Sequence, residues 1–154
     1  MFYTLLGAGK PTLWRVSIDG GAPQELTKAA SSTPAISPDG KLIAYVSWEA
    51  QPNSSARITV MQSEGGEPVK AFEIPGSLNG NINWTVNGLA LTYVITSRGI
   101  SNLWIQQLSG GQAKQLTDFQ ESQIFWFDWS RDGKHLVCAR GMETDDVVLI
   151  SNFR

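Results

Sequence analysis

The sequence predicts an all-β chain, a partial β-propeller of four-stranded antiparallel blades. Three observations carry that expectation. Gly-Gly pairs recur with a period of 45 residues, at Gly20-Gly21, Gly65-Gly66 and Gly110-Gly111. A second turn phrase interleaves with them: Ile36-Ser37-Pro38-Asp39-Gly40, Trp84-Thr85-Val86-Asn87-Gly88 and Trp129-Ser130-Arg131-Asp132-Gly133. Between the turns lie short runs rich in Val, Ile, Leu, Thr, Trp and Tyr, with no apolar stripe at helical spacing. Asp-Gly, Asn-Gly and Gly-Gly supply the φ > 0 positions that tight hairpins need. Runs of this length and β-branched content are strands. Four-stranded units of about 40–45 residues that stack on copies of themselves are propeller blades.

The elements follow in order, with strands A to D in each repeat. The chain opens within a blade, with strands near 2–6, 12–18 and 23–27 serving as B, C and D of a partial blade over 1–27. The first complete blade spans 33–74, with A near 33–37, B near 41–48, C near 57–63 and D near 68–74. The second spans 81–117, with strands near 81–85, 89–96, 102–108 and 112–117. A last partial blade spans 125–151, with A, B and C near 125–130, 135–140 and 146–151. The whole chain, 1–154, is therefore expected to be the C-terminal part of a single propeller domain. An open stack leaves an apolar blade face bare at each end. Several hundred Å² per face, at ~25 cal/mol/Å², forfeits on the order of 10 kcal/mol for the pair. Whole domains are stable by only ~5–15 kcal/mol. Either the rest of a propeller or another copy is expected to cover those ends.

Composition narrows the function classes. The 154 residues are 42% hydrophobic, enough for a sizeable core, and the formal net charge is −2. A nucleic-acid footprint is normally basic, so no nucleic-acid partner is expected. Cys138 is the single cysteine, so no internal disulfide framework forms. No apolar run reaches the ~18–20 residues of a membrane helix, and the first ten residues lack the pattern of a secretory signal.

The repeat phrases assemble as Leu-Trp-x-x-x-x-Asp-Gly-Gly-x-x-x-x-Leu-Thr over 13–27, then Pro-Ala-Ile-Ser-Pro-Asp-Gly-Lys over 34–41. This resembles the TolB-like, WD40-like propeller repeat. The middle repeat departs most, with Val86-Asn87 in place of Pro-Asp and Ala71-Phe72 in place of Leu-Thr. The segment from Asn102 through Gln115-Leu116-Thr117-Asp118-Phe119 to Arg154 is also similar to the C-terminal propeller of large bacterial serine/threonine protein kinases. That second resemblance implies a sensor or protein-interaction role and, with it, an extracytoplasmic or periplasmic place. It carries no kinase chemistry: the chain has no glycine-rich nucleotide loop, no His-Arg-Asp and no Asp-Phe-Gly.

Candidate chemistry is thin. Gly7-Ala8-Gly9-Lys10-Pro11-Thr12 looks like a phosphate loop but lacks its first glycine, and Pro11 follows the lysine. It reads as a B–C hairpin. His135, the one histidine, stands three residues from Cys138; neighbours three apart on a strand face opposite sides, so they do not chelate. His135 is assigned the slot of Leu42 and Leu89, and Cys138 that of Tyr45 and Tyr93. Glu143, Asp145 and Asp146 lack the spacing of a calcium loop and read as a solvated acidic loop. No catalytic residue, cofactor or metal is expected.

The tryptophans divide by repeat slot. Trp14 and Trp104 share one slot with Thr59, and Trp84 and Trp129 share that of Ile36. Recurring slots are blade packing. Trp48 and Trp126 have no equivalents and stand out as contact residues. Propeller topology puts the short, uniform A–B and C–D turns on one face and the variable D–A and B–C connections on the other. Binding concentrates on variable loops held by a rigid scaffold. The expected face carries Trp48, Asn81, Arg98, Phe119, Gln123, Trp126, Arg140 and Asp145, for a protein or small ligand. Asn83 and Asp128 share a strand A slot beside the central channel, where they either line it or bond each other's neighbours. Three functions compete: a binding or scaffold propeller at the end of a signalling protein, a TolB-type periplasmic envelope protein, and the propeller of a prolyl-oligopeptidase-type peptidase.

Overall fold

A computed structural model describes residues 1–7, 9–49 and 55–143. Every regular element among them is a strand. The first sheet is β1 (Phe2–Gly7), β2 (Lys10–Arg15) and β3 (Gln24–Glu25). The second is β4 (Ala30–Ile36), β5 (Leu42–Trp48), β6 (Arg57–Gln62) and β7 (Lys70–Glu73). The third is β8 (Ser77–Trp84), β9 (Ala90–Ser97), β10 (Ile100–Gln107) and β11 (Lys114–Gln115). The last contains β12 (Gln123–Trp129) and β13 (Leu136–Gly141); the third strand expected there, near 146–151, lies outside the described residues. Neighbours in each sheet are antiparallel and in sequence order. These are propeller blades, the first without a strand A among the described residues.

The turn phrases explain the registers. In the A–B turn Ser37 Oγ donates to Asp39 Oδ1 (2.6 Å), which also accepts from the Lys41 amide (3.1 Å), while the Leu42 amide donates back to Ser37 Oγ (2.9 Å). Ser130, Asp132, Lys134 and His135 repeat that pattern atom for atom. In the middle repeat Thr85 and Asn87 do the same work: Thr85 Oγ1 donates to Asn87 Oδ1 (2.8 Å), and the Leu89 amide follows (3.0 Å). Gly40, Gly88 and Gly133 sit at φ of 74°, 68° and 67°, which a side chain would strain. The hydrogen bonds also correct one slot. His135 aligns with Leu42 and Ala90, since each donates its amide to the hydroxyl of the residue five before it, and not with Leu89.

The Asp turns have a pH signature. Hydrogen bonds from Ser37 and the Lys41 amide hold the Asp39 carboxyl below its ordinary 3.8, and Ser130 and the Lys134 amide do so for Asp132. A depressed folded-state pKa adds stability above the unfolded value that is lost as pH falls through the folded one. In an NMR acid titration the Lys41 and Lys134 amides should therefore report transitions below pH 3.8. The Leu89 amide, bonded to Asn87, should report none of its own; a matching transition at Leu89 would mean that global unfolding, not turn protonation, is being seen.

Strand D is shorter than expected in two blades, and the Leu-Thr phrase is the reason. Thr27 Oγ1 accepts the Leu13 amide (3.0 Å) and Thr117 Oγ1 accepts the Leu103 amide (2.9 Å). The hydroxyl takes the place of a strand carbonyl, so β3 and β11 stop after two residues. In the middle repeat Phe72 has no hydroxyl to offer. There the ladder runs on, Ile58 pairs with Phe72, and β7 has four residues.

Three apolar clusters lie between successive blades. Leu13, Ile43, Tyr45 and Met61 join the first and second. Ala44, Val46, Ile58, Val60, Ile82, Trp84, Leu91, Tyr93 and Ile95 join the second and third. Val94, Leu103, Ile124 and Phe127 join the third and last, with Cys138 packed beside them. Strand A tryptophans pin two of these interfaces. Trp84 Nε1 donates to the Ala35 carbonyl of the preceding blade (2.8 Å). Trp129 Nε1 donates instead to Thr92 Oγ1 (3.0 Å), whose hydroxyl donates to the Asn83 carbonyl (3.1 Å). Asn83 holds the slot of Ala35, so Thr92 inserts one hydroxyl into the same link.

Candidate functional site

The innermost strands carry an irregularity that the sequence does not announce. Each of the three described strands A breaks its register at the same end: β4 between Ser32 and Ala35, β8 between Asn79 and Ile82, and β12 between Ile124 and Trp126. Bulges re-aim side chains and gather at barrel rims and binding sites. These three lie at the end of strand A that receives the D–A connections. Thr33 sits in the first bulge at φ 50°, unusual for a β-branched residue, and its buried Oγ1 has no hydrogen-bond partner. Gly80, at φ 80°, occupies the second. A small cleft of about 70 Å³ opens between the second and third bulges, lined by Asn79, Asn81, Val94, Phe125 and Trp126 among others.

Of the expected contact residues, the structure brings Asn81 and Trp126 together at this cleft. Both are exposed. Trp126 lies within β12, however, not in the connection before it, and on the side of the strand opposite Phe127. Its indole, 50% exposed, faces where a following blade would pack. Trp48 is a correction. It lacks a repeat equivalent, but it ends β5 half-buried and packs on the cluster between the second and third blades.

A second group is built around Phe119. Asn102 of β10 straps the connection down: its Oδ1 accepts from Thr117 Oγ1 (2.9 Å) and the Phe119 amide (2.7 Å), and its Nδ2 donates to the Phe119 carbonyl (3.1 Å). The Arg140 guanidinium lies 3.5 Å from the Phe119 ring centroid, and its Nη2 donates to the Glu121 carbonyl (2.7 Å). Gln123, half-buried, pairs with Gly141 next to Arg140. Ser122 in the same connection adopts φ 68°. The result is an aromatic ring under a cation, held by side chain and backbone together. Arg98 stands exposed in the tight β9–β10 turn at φ 52°. Asp145 lies outside the described residues, and no three-member group of His, Cys, Asp or Glu that could hold a metal occurs among the described ones.

Asn83 and Asp128 do bond each other's strands. Asn83 Nδ2 donates to the Phe127 carbonyl (3.0 Å) and, at 3.4 Å, to Asp128 Oδ1, which also accepts the Trp129 amide (2.8 Å). They also border an open groove of about 570 Å³, with Ala35, Pro38, Val86 and Arg131, at the A–B turn end of the inner strands. Sequence reasoning passed over this groove because its rim turns are so uniform. The available signal was the change from Pro38 to Val86 and Arg131 along that rim.

The comparisons with known proteins fit this architecture. No family profile matches the chain. An uncharacterized protein of Agrobacterium fabrum is 26% identical over 104 residues, covering 61% of this chain and 35% of its own. Among solved structures, a TolB described as putative from Agrobacterium tumefaciens superposes with a TM-score of 0.72 at 20% identity, over 91% of this chain and 50% of that one. TolB from Acinetobacter baumannii gives 0.70 at 20% identity, over 89% and 34%. An acylaminoacyl peptidase gives 0.60 at 19% identity, over 84% and 23%. The fold is a TolB-like β-propeller. The chain spans about a third of the curated relative and half of the first TolB.

Proposed function

We propose that this chain is a non-catalytic binding or scaffold propeller that takes a protein or small ligand on its D–A/B–C face. The observation that supports this best is the strapped Phe119–Arg140 pair. A connection stiffened by Asn102 presents an aromatic ring and a guanidinium in fixed relation, with Asn81 exposed near the start of β8 and Arg98 exposed in the β9–β10 turn. Preorganised aromatic and arginine groups anchor interfaces at low ordering cost. A TolB-type role in the cell envelope is the second reading, favoured by the likeness to two TolB structures. A role at the end of a signalling kinase rests on the sequence likeness over 102–154, and a peptidase-gating role on the fold alone.

Site-specific photocrosslinking in the native host tests the proposal. A crosslinker at Asn81 or Arg98 should capture a discrete partner, while one at Asn87, on the opposite A–B face, should not. Equal capture at Asn87, or none at the first two, defeats the assignment of the face.

A further inference from the structure

The sequence holds two Asn-Gly pairs, both in the third blade. Asn79-Gly80 lies in the bulge of β8, and Asn87-Gly88 in the turn that follows that strand. An asparagine followed by glycine is open to a reaction within its own backbone. The glycine amide nitrogen attacks the asparagine Cγ, because no Cβ on the following residue obstructs it. A C–N bond forms, ammonia leaves, and a cyclic imide results. Water then opens one imide carbonyl to give aspartate, or the other to give isoaspartate. The balance is one water consumed and one ammonia released.

The fold treats the two pairs differently. Asn87 is clamped: its Oδ1 accepts from Thr85 Oγ1 (2.8 Å) and from the Leu89 amide (3.0 Å). The Gly88 amide, the attacking group, donates to the Thr85 carbonyl (2.8 Å). A Cβ built on Gly88 would stand 3.6 Å from Pro38 of the second blade, so the turn has a neighbour against it. Reaction there requires the turn to open and give up all three bonds. Asn79 is held by one long bond, 3.4 Å from its Nδ2 to Thr96 Oγ1, and its Oδ1 has no partner among the described residues. Gly80 and Asn81 have no partner in the register with β9. Nothing lies within 4 Å of where a Gly80 Cβ would stand, and Asn79 and Gly80 are both exposed.

We propose that Asn79 is a site of spontaneous deamidation and that Asn87 is spared by its turn. The bulge takes both products. Aspartate matches asparagine in size, and the Thr96 hydroxyl, which shares a bond with Ser101 Oγ (2.8 Å), has only to donate where it accepted. Isoaspartate lengthens the main chain by one carbon, in a segment that already carries unpaired residues. At position 87 the products would part ways. Aspartate repeats the chemistry of Asp39 and Asp132, whereas isoaspartate would break the bonds to Thr85 and Leu89. The place of Asn79 gives the change its consequence. It lines the small cleft with Asn81 and Trp126, and no charged residue lines that cleft. Deamidation sets a carboxylate there, so a neutral cleft becomes anionic. Any effect on capture of a partner rests on the binding face proposed for this chain; the modification itself does not.

Peptide mapping of the 154-residue chain, aged in mildly alkaline buffer, tests this. Asn79 and Asn87 fall in one tryptic peptide, between Lys70 and Arg98, so fragmentation of that peptide assigns the mass gain of an amide-to-acid exchange to either position. In the native chain, conversion at Asn79 should run several-fold ahead of Asn87 and yield both aspartate and isoaspartate. In denaturant, where only the Asn-Gly chemistry remains, the two rates should draw together. An Asn79→Asp variant, which stands for one product, should keep the circular dichroism and melting temperature of the native chain. Equal native rates, Asn87 ahead of Asn79, or no conversion at Asn79 while the denatured chain converts at both, overturns the proposal. Loss of the fold in Asn79→Asp overturns the claim that the bulge takes the product. The readout is mass and not capture, so this result stands apart from the fate of the binding face.

Discussion

Replacing Trp84 with alanine is expected to cost about 3–5 kcal/mol, the range for deleting a buried aromatic from a core. The same change at Trp129, its repeat equivalent, should cost clearly less. Both indoles reach back from strand A to the preceding blade, but their surroundings differ. Trp84 is 8% exposed and stands in the largest cluster, between Ala44 and Val46 on one blade and Tyr93 and Ile95 on its own. Its Nε1 is the donor to the Ala35 carbonyl, which would be left without that partner. Trp129 is half-buried and borders open grooves on the A–B face. Its truncation removes the donor to Thr92 Oγ1, but that hydroxyl still donates to the Asn83 carbonyl and so keeps one partner. Against a total of ~5–15 kcal/mol, the Trp84 loss is large enough to melt a marginal stack. Denaturant unfolding of both variants measures the difference. Equal losses, or a larger one at Trp129, would mean that the last blade, and not the interface between the second and third, limits stability.

That ranking could not be read from the sequence, although the fold could. The recurrence of Asp39-Gly40, Asn87-Gly88 and Asp132-Gly133 with the Gly-Gly pairs announces hairpins, because few other residues reach their backbone angles. Strand order within the two four-stranded sheets follows from the period. Trp84 and Trp129 occupy the same slot, and only the packing of the neighbouring blades distinguishes them. Trp48 and Trp126 were paired by their lack of equivalents, yet one is half-buried and the other stands exposed; both fall on the side that faces the next blade, and among the described residues Trp48 has such a blade packed on it. Strand bulges at Ser32/Ala35, Asn79/Ile82 and Ile124/Trp126 left no common residue pattern. Three different solutions, a strained Thr33, a Gly80 and an exposed Phe125, meet one geometric demand, the register break near the start of each strand A. The groove beside Asn83 and Asp128 was hidden for the opposite reason. Its rim is the most regular part of the repeat, and regular turns look like scaffold.

Replacing Asn102 with alanine should loosen the candidate binding face while leaving the blades stacked. Three hydrogen bonds run from this side chain to the connection after β11: two accepted, from Thr117 Oγ1 and the Phe119 amide, and one donated, to the Phe119 carbonyl. Losing partners for part-buried groups costs ~1–3 kcal/mol, less than the Trp84 change. The cost falls on a local element, since the Leu103 amide keeps its bond to Thr117 Oγ1 and β10 keeps its ladder with β9. Phe119 would no longer be fixed under Arg140. The expected result is faster hydrogen exchange at the Phe119 amide, a modest drop in melting temperature and weaker capture of any partner at Arg98. Asn102→Asp offers the control. An aspartate retains both accepted bonds and loses only the donation, so it should protect the Phe119 amide nearly as well as the native residue and fail mainly at the Phe119 carbonyl. If Asn102→Ala leaves exchange at Phe119 unchanged, the Arg140 stack and the Arg140–Glu121 hydrogen bond hold the connection by themselves. The face would then owe its rigidity to the last blade rather than to the third.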